Sequence, residues 1–339
     1  MQNRNRSLDL LRAAAMFLVM TAHFFGWGGA VNVLEMRDLN YFVVMPVYFL
    51  SQIGNTLFFL LTGYFASGNV KSRKLVFLHR KTTLYIFTIS VAAFLLGLNE
   101  VSGAKDILQS LFPILTNRYW FITVYCILYI LSAPLYKGLE ACAKRMVLAV
   151  IAVLLVNNTF LYPANMTLMQ GILGFVCGYY LRRHKPFEKW GKIRILLLFC
   201  LFFGMYAIER IGVKRMNLEH TLLDEGLRYV TLLGTAVSFF TFFEKLKVKA
   251  EWPSKISENV LSVYLITACP PIVDLLYARL LLIESVATKL WFVPYYFAVN
   301  VLLFGLCVGI DKLVSKLNNL ETDLWMKFFR LFQIKKVHQ

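Results

Sequence analysis

Arg12 and His23 stand eleven residues apart inside one apolar run, Leu8 to His23. At about 100° per residue this spacing is roughly three full turns, so the two side chains share one helical stripe, ~16 Å apart along the axis. An imidazole, with an unperturbed pKa of about 6.5, exchanges protons near neutrality. A guanidinium presents a planar fork that matches phosphate or carboxylate oxygens. At membrane depth such groups are costly, by ~2.5–3.5 kcal/mol for a central Arg, and they normally face a bundle interior or a wet cavity. Asp9, one turn before Arg12, can partner it and lower that cost. A plainer reading stands beside this one: His23 as a hydrogen-bonding residue between helices, and Arg12 as an anchor that snorkels to the interface.

The elements that position this stripe are apolar helices. Of 339 residues, 58% are hydrophobic and only 16% charged, and the mean hydropathy is +0.61. That charge is too sparse to cover a soluble protein of this size, and near-continuous hydrophobicity without alternation excludes an outer-membrane barrel. The expected fold is all-α, a polytopic membrane protein. About ten spans form one bundle, near 7–26, 41–66, 82–98, 119–136, 146–162, 167–181, 195–209, 226–243, 257–273 and 291–311. Pro46 and Gly54 predict a kink in the second span, and Pro270-Pro271 a break in the ninth. The first span reads as retained rather than as a signal peptide, because Asp9, Arg12 and His23 interrupt it and no cleavage pattern is clear. The six cysteines have no metal-type spacing and read as packing residues, so no metal site is expected.

Charge sets the orientation. With the N-terminus in the cytoplasm, loops on that side carry 26 Lys and Arg and the opposite loops 8, which places both termini in the cytoplasm. The net charge of +17 is thus a topology signal. Its spread over six segments gives no nucleic-acid interface. Residues 1–339 read as a single membrane domain. The tail 312–339 alternates Leu324, Trp325, Phe328, Phe329, Leu331 and Phe332 with Lys327, Arg330, Lys335 and Lys336, the pattern of a basic amphipathic helix on anionic headgroups. No internal repeat and no clearly broken helix pair is visible, which weighs against a transporter.

Further motifs follow in order: Phe58-Phe59-Leu60-Leu61-Thr62-Gly63-Tyr64, the basic stretch Arg73 to Lys81, Tyr119-Trp120-Phe121-Ile122, and Ser257 to Thr267 with Tyr264-Leu265-Ile266-Thr267. Together with the Arg-x10-His stripe they resemble the acyltransferase 3 family of integral-membrane acyltransferases, many of which O-acetylate bacterial surface polysaccharides. The likeness spans nearly the whole chain and is sharpest over 7–85. Thr62 stands where the family usually has Ser. Thr83 replaces the second Arg of an Arg-x-x-Arg that keeps Arg80, and Thr267 stands where a late His is common.

The resemblance implies an acetyl-CoA-dependent O-acetyltransferase of the bacterial cytoplasmic membrane. It would hold no bound cofactor and would modify a sugar hydroxyl of a cell-envelope polysaccharide or its lipid-linked precursor. His23 would take the hydroxyl proton. Arg12, with Arg73, Arg80 and Lys81, would hold the CoA phosphates at the cytoplasmic mouth. Thr62, Gly63 and Tyr64 are assigned to the donor channel, Gly63 letting a ligand approach the backbone. Asp9, Phe58, Trp120 and Tyr264 are supporting residues. Arg73, Arg80 and Lys81 are equally compatible with a topology signal alone, Phe58 with packing, and Trp120 with an interfacial belt. Arg228 reads as a structural partner of Asp224 or Glu225. The alternative function is a transporter or flippase whose polar path Arg12 and His23 would line. Direct transfer and an acyl-histidine intermediate both remain open.

Overall fold

Apolar runs of this length satisfy their backbone N–H and C=O groups internally, and a helix does so within one segment. The computed structural model describes residues 5–98, 103–158, 167–216 and 222–335, and their side chains except 104, 167, 214–216, 222–227 and 317–335. It is helical throughout, with no strand among the described residues. In chain order the helices are α1 (Arg6–Gly26), α2 (Ala30–Val33), α3 (Tyr41–Ser51), α4 (Gly54–Tyr64), α5 (Ser72–Leu95), α6 (Ala104–Leu111), α7 (Trp120–Ala141) and α8 (Lys144–Val156). They continue as α9 (Thr167–His184), α10 (Lys192–Met216), α11 (Leu222–Glu244), α12 (Trp252–Ser257), α13 (Val260–Thr267), α14 (Ile283–Val286) and α15 (Phe292–Lys335).

Among the described residues five segments are long and apolar enough to cross a membrane: α1, α3 with α4, α7, α10 and the first part of α15. A sixth is counted if α13 and the segment Pro270–Val286 form one crossing. Helices α5, α8, α9 and α11 occupy the other four predicted positions. They are shorter, or carry charge inside the apolar window, so ten crossings stay an expectation from charge and hydropathy.

Three local features sharpen the sequence reading. The second span breaks at Gln52–Ile53 between α3 and α4, while Pro46 is accommodated inside α3. Gly54 lets α4 press on α1 there, since a Cβ would lie 3.1 Å from the Ala15 carbonyl. The basic stretch before the third span is not a loop, because α5 already begins at Ser72; it is made of helix-forming Arg, Lys and Leu, and charge lowers hydropathy without ending a helix. The break expected in the ninth span at Pro270-Pro271 is present: α13 and the segment after Pro270 meet at 54°. Neither proline has an N–H to continue the ladder, and each ring blocks the preceding turn. Helix α15 runs unbroken to Lys335; most side chains of the tail 312–339 lie outside the described residues.

Helix α1 is the hub. It packs against α3, α4, α11, α12, α13 and α15, and Leu8, Leu11, Ala15, Met20 and Phe24 are wholly buried. Its first turn is pinned: Arg6 pairs with Glu251 at 2.9 Å, and Ser254 Oγ donates to Asp9 at 2.7 Å. Helices α4 and α9 pack backbone to backbone. Gly63 faces the Phe175 carbonyl, while Gly174 and Gly178 of α9 face Phe59 and the Leu60 carbonyl. Glycines at these three contacts let two backbones touch, as small residues do between membrane helices. Arg182 then closes the end of α4, donating to the Tyr64 and Ala66 carbonyls at 3.0 and 3.2 Å.

Candidate active site

Arg12 and Asp9 pair on the first turns of α1. Asp9 is completely buried and accepts from both Arg12 and Ser254, so the carboxylate aims the guanidinium. Arg12 lies over the Phe65 ring, 4.8 Å from its centroid, and lines a cavity of about 490 Å³. That is within the size range of small-molecule pockets. The cavity walls are apolar, chiefly Phe58, Leu61, Phe121 and Leu78, with Thr62 on one side. Thr62 Oγ1 is used locally, donating to the Phe58 carbonyl at 2.8 Å.

The remaining cations at this cavity are Lys71 and Lys74, which the sequence reading did not single out. Lys74 Nζ sits 4.4 Å from the Tyr129 ring centroid and 5.4 Å from that of Tyr125. Arg73, Arg80 and Lys81 do not join Arg12. They line a separate cavity of about 800 Å³ between α5 and α15. The 100° step of a helix explains the division: Lys71, Lys74 and Leu78 form one stripe, and Arg73 and Arg80, seven apart, form another. The signal that separates them is the register of Leu78, a buried residue, with Lys71 and Lys74.

Gly63 and Tyr64 also turn away from the Arg12 cavity. Gly63 admits helix α9 rather than a ligand, its absent Cβ replaced by the Phe175 backbone. The Tyr64 hydroxyl donates to Glu244 at 2.7 Å and its ring packs on Phe240.

His23 lies at the other end of α1. Its ring stacks on Trp27, with centroids 3.9 Å apart and planes 9° from parallel. The Tyr264 ring, which lines the inner end of the Arg12 cavity, is 6.3 Å away. His23 Nδ1 is buried without a hydrogen-bond partner among the described residues. Buried polar atoms are nearly always paired, so this nitrogen calls for a partner; His23 itself lines neither the Arg12 cavity, nor the α5–α15 cavity, nor the polar cavity described next. Thr267 contributes no acid–base group, because its hydroxyl donates to the Val263 carbonyl at 2.8 Å.

A third cavity, of about 570 Å³, opens at the opposite end of the bundle from Lys71. It is polar where the first is apolar: Asn32, Gln52, Asn55 and Gln170 surround Trp120, and Arg210 and Arg228 stand at its edge. The Asn55 Oδ1 is buried and unpartnered among the described residues, and Gln170 donates to the Tyr229 hydroxyl at 2.9 Å. Arg210 pairs with Glu209, and Arg228 lies over the Tyr229 ring; the side chains of Asp224 and Glu225 lie outside the described residues.

An aromatic partition divides the first and third cavities. Phe58 and Phe121 face the apolar cavity, whereas their neighbours Phe59 and Trp120 face the polar one. The rings of Phe58, Phe59 and Trp120 all pack on Phe121, at 5.7, 5.3 and 5.9 Å. Consecutive residues on a helix point about 100° apart, so two neighbouring pairs suffice to build a two-sided wall.

The acyltransferase domain of the acyltransferase 3 family matches residues 5–312. The chain belongs to the acyltransferase 3 family. No curated protein and no solved structure matches it. The matched stretch contains the linings of the first and third cavities of this membrane acyltransferase, and that of the second except Val314 and Ser315; it ends just after Asp311, leaving most of the α15 extension outside. Among the described residues no group of His, Cys, Asp and Glu is placed to hold a metal ion.

Proposed function

We propose that this acyltransferase is an O-acetyltransferase that carries acetyl from cytoplasmic acetyl-CoA to a sugar hydroxyl of a bacterial cell-envelope polysaccharide or its lipid-linked precursor. The observation that carries the reading is the pair of unlike cavities on either side of one aromatic wall, with Tyr264 packed on Phe121 between that wall and the His23 ring. The excess of Lys and Arg in one set of loops puts the Arg12 end at the cytoplasm, in a ten-span chain with both termini inside.

In this reading Arg12, Lys71 and Lys74 hold the CoA phosphates at the mouth of the apolar cavity. The pantetheine arm runs past Phe58 and Phe121, and the thioester stops at Tyr264. An acceptor sugar enters the polar cavity, where amide side chains meet its hydroxyls and the Trp120 face meets its C–H surface. His23 removes the proton of the attacking hydroxyl as its oxygen adds to the thioester carbonyl. The C–S bond then breaks, the ester forms, and the CoA sulfur leaves and takes up a proton. Tyr264 lies between the thioester and His23, so its ring must swing aside for them to meet.

The transporter alternative accounts for one feature, the bent segment at Pro270. Detergent micelles separate the two readings, because a carrier needs a sealed compartment and an enzyme does not. Purified protein given radiolabelled acetyl-CoA and envelope glycan from its host is expected to transfer label in micelles. His23→Ala is expected to lower that transfer by at least ~100-fold, the low end of a general base's contribution. A well-folded His23→Ala protein with wild-type transfer would refute the assignment.

A further inference from the structure

The cavity between α5 and α15 takes no part in the donor path described above. Its cations are Arg73, Arg80 and Lys81. Lys81 is already committed, bonding to Asp311 at 2.9 Å, and the Tyr85 hydroxyl donates to the other oxygen of the same carboxylate at 2.8 Å. This trio closes the floor, Asp311 being 2% exposed. Arg73 and Arg80 remain above it, two turns apart on one stripe of α5 and ~10.5 Å apart along its axis. Among the described residues, Asp311 is the one carboxylate in the lining.

The rim tells which kind of anion fits. Val76, Phe77 and Leu84 line the cavity and are 56%, 60% and 39% exposed. On α15, Leu313 beside the cavity is 64% exposed. A pocket for a soluble nucleotide would be framed by polar surface. Apolar side chains this exposed, on two helices of a membrane protein, face acyl chains. The cavity therefore opens sideways into the bilayer, and its arginines stand where the predicted cytoplasmic segment 67–81 meets the third span, at headgroup level.

We infer that this cavity binds the phosphate of an anionic phospholipid of the cytoplasmic leaflet, with Arg73 and Arg80 on the headgroup and Val76, Phe77 and Leu84 along the acyl chains. The lipid would tie α5 to α15 from outside, beside the inner Lys81–Asp311–Tyr85 contact. Because Phe77 also borders the donor cavity, the lipid would brace the wall of that site without entering it.

The experiment is native mass spectrometry of the full-length protein in detergent, after stripping and re-addition of phosphatidylglycerol or phosphatidylcholine. Phosphatidylglycerol should bind at least tenfold more tightly than phosphatidylcholine. The doubly substituted Arg73→Gln/Arg80→Gln protein should lose that preference, and Arg73→Lys/Arg80→Lys should keep part of it. Lys71→Gln/Lys74→Gln should leave lipid binding unchanged. Equal binding of the two lipids by the wild-type protein would overturn the inference even if the glutamine variant failed to fold. So would 1 mM coenzyme A displacing the lipid, or a tenfold weaker coenzyme A affinity in the glutamine variant with lipid binding intact. Either of those last results would assign the cavity to the nucleotide end of the donor, whereas loss of transfer in micelles would count against the enzyme reading alone.

Discussion

Replacing Gly63 by alanine isolates the contact that holds α4 against α9. A Cβ at this position would sit 1.8 Å from the Phe175 carbonyl oxygen, a backbone atom that cannot rotate away. Bringing that contact to 3.4 Å, the near edge of ordinary van der Waals distance, parts the two helices by about 1.6 Å. Overpacking of this kind costs roughly 1–3 kcal/mol. Gly204 of α10 supplies the control, since a Cβ there meets nothing within 4 Å. Alanine at that site should gain up to about 1 kcal/mol of helix propensity. The two variants should therefore differ by roughly 1–4 kcal/mol, with Gly63→Ala the less stable. Thermal unfolding in one detergent, followed by intrinsic fluorescence, should place Gly63→Ala several degrees below Gly204→Ala. Helix α4 also carries Phe58 and Thr62 into the donor cavity, so Gly63→Ala should raise KM for acetyl-CoA while Gly204→Ala leaves it alone. If Gly63→Ala melts with or above Gly204→Ala, the direct backbone contact between α4 and α9 is wrong.

Two more outcomes follow from the paired cavities. Lys74→Ala should raise KM for acetyl-CoA about tenfold with kcat little changed, the signature of lost uniform binding, and Lys74→Arg should restore most of it; initial rates against acetyl-CoA decide, and an unmoved KM removes Lys74 from the donor mouth. Trp120→Ala should raise the half-saturating acceptor concentration about tenfold while KM for acetyl-CoA stays put. A shift on the donor side instead would mean the aromatic wall has been assigned the wrong way round.

Much of the fold was legible in the residues because a bilayer makes few demands and makes them strongly. Apolar runs had to be helices, Pro270-Pro271 had to interrupt one, and a step of eleven residues from Arg12 to His23 had to align them on a stripe. Asp9 beside Arg12 was equally readable, since an i, i+3 pair needs no tertiary information.

What tertiary structure alone decided is where each stripe points. Arg73 and Lys74 are neighbours in sequence, yet one faces the α15 side and the other the Arg12 cavity. Phe58 and Phe59 split in the same way. Gly63 reads as room for a ligand until α9 arrives against it. Composition and spacing determine that these residues lie on helices and how far apart they sit along the axis. The rotation of each helix about that axis is set by its neighbours' shapes, and a turn of 100° moves a side chain from one cavity to another.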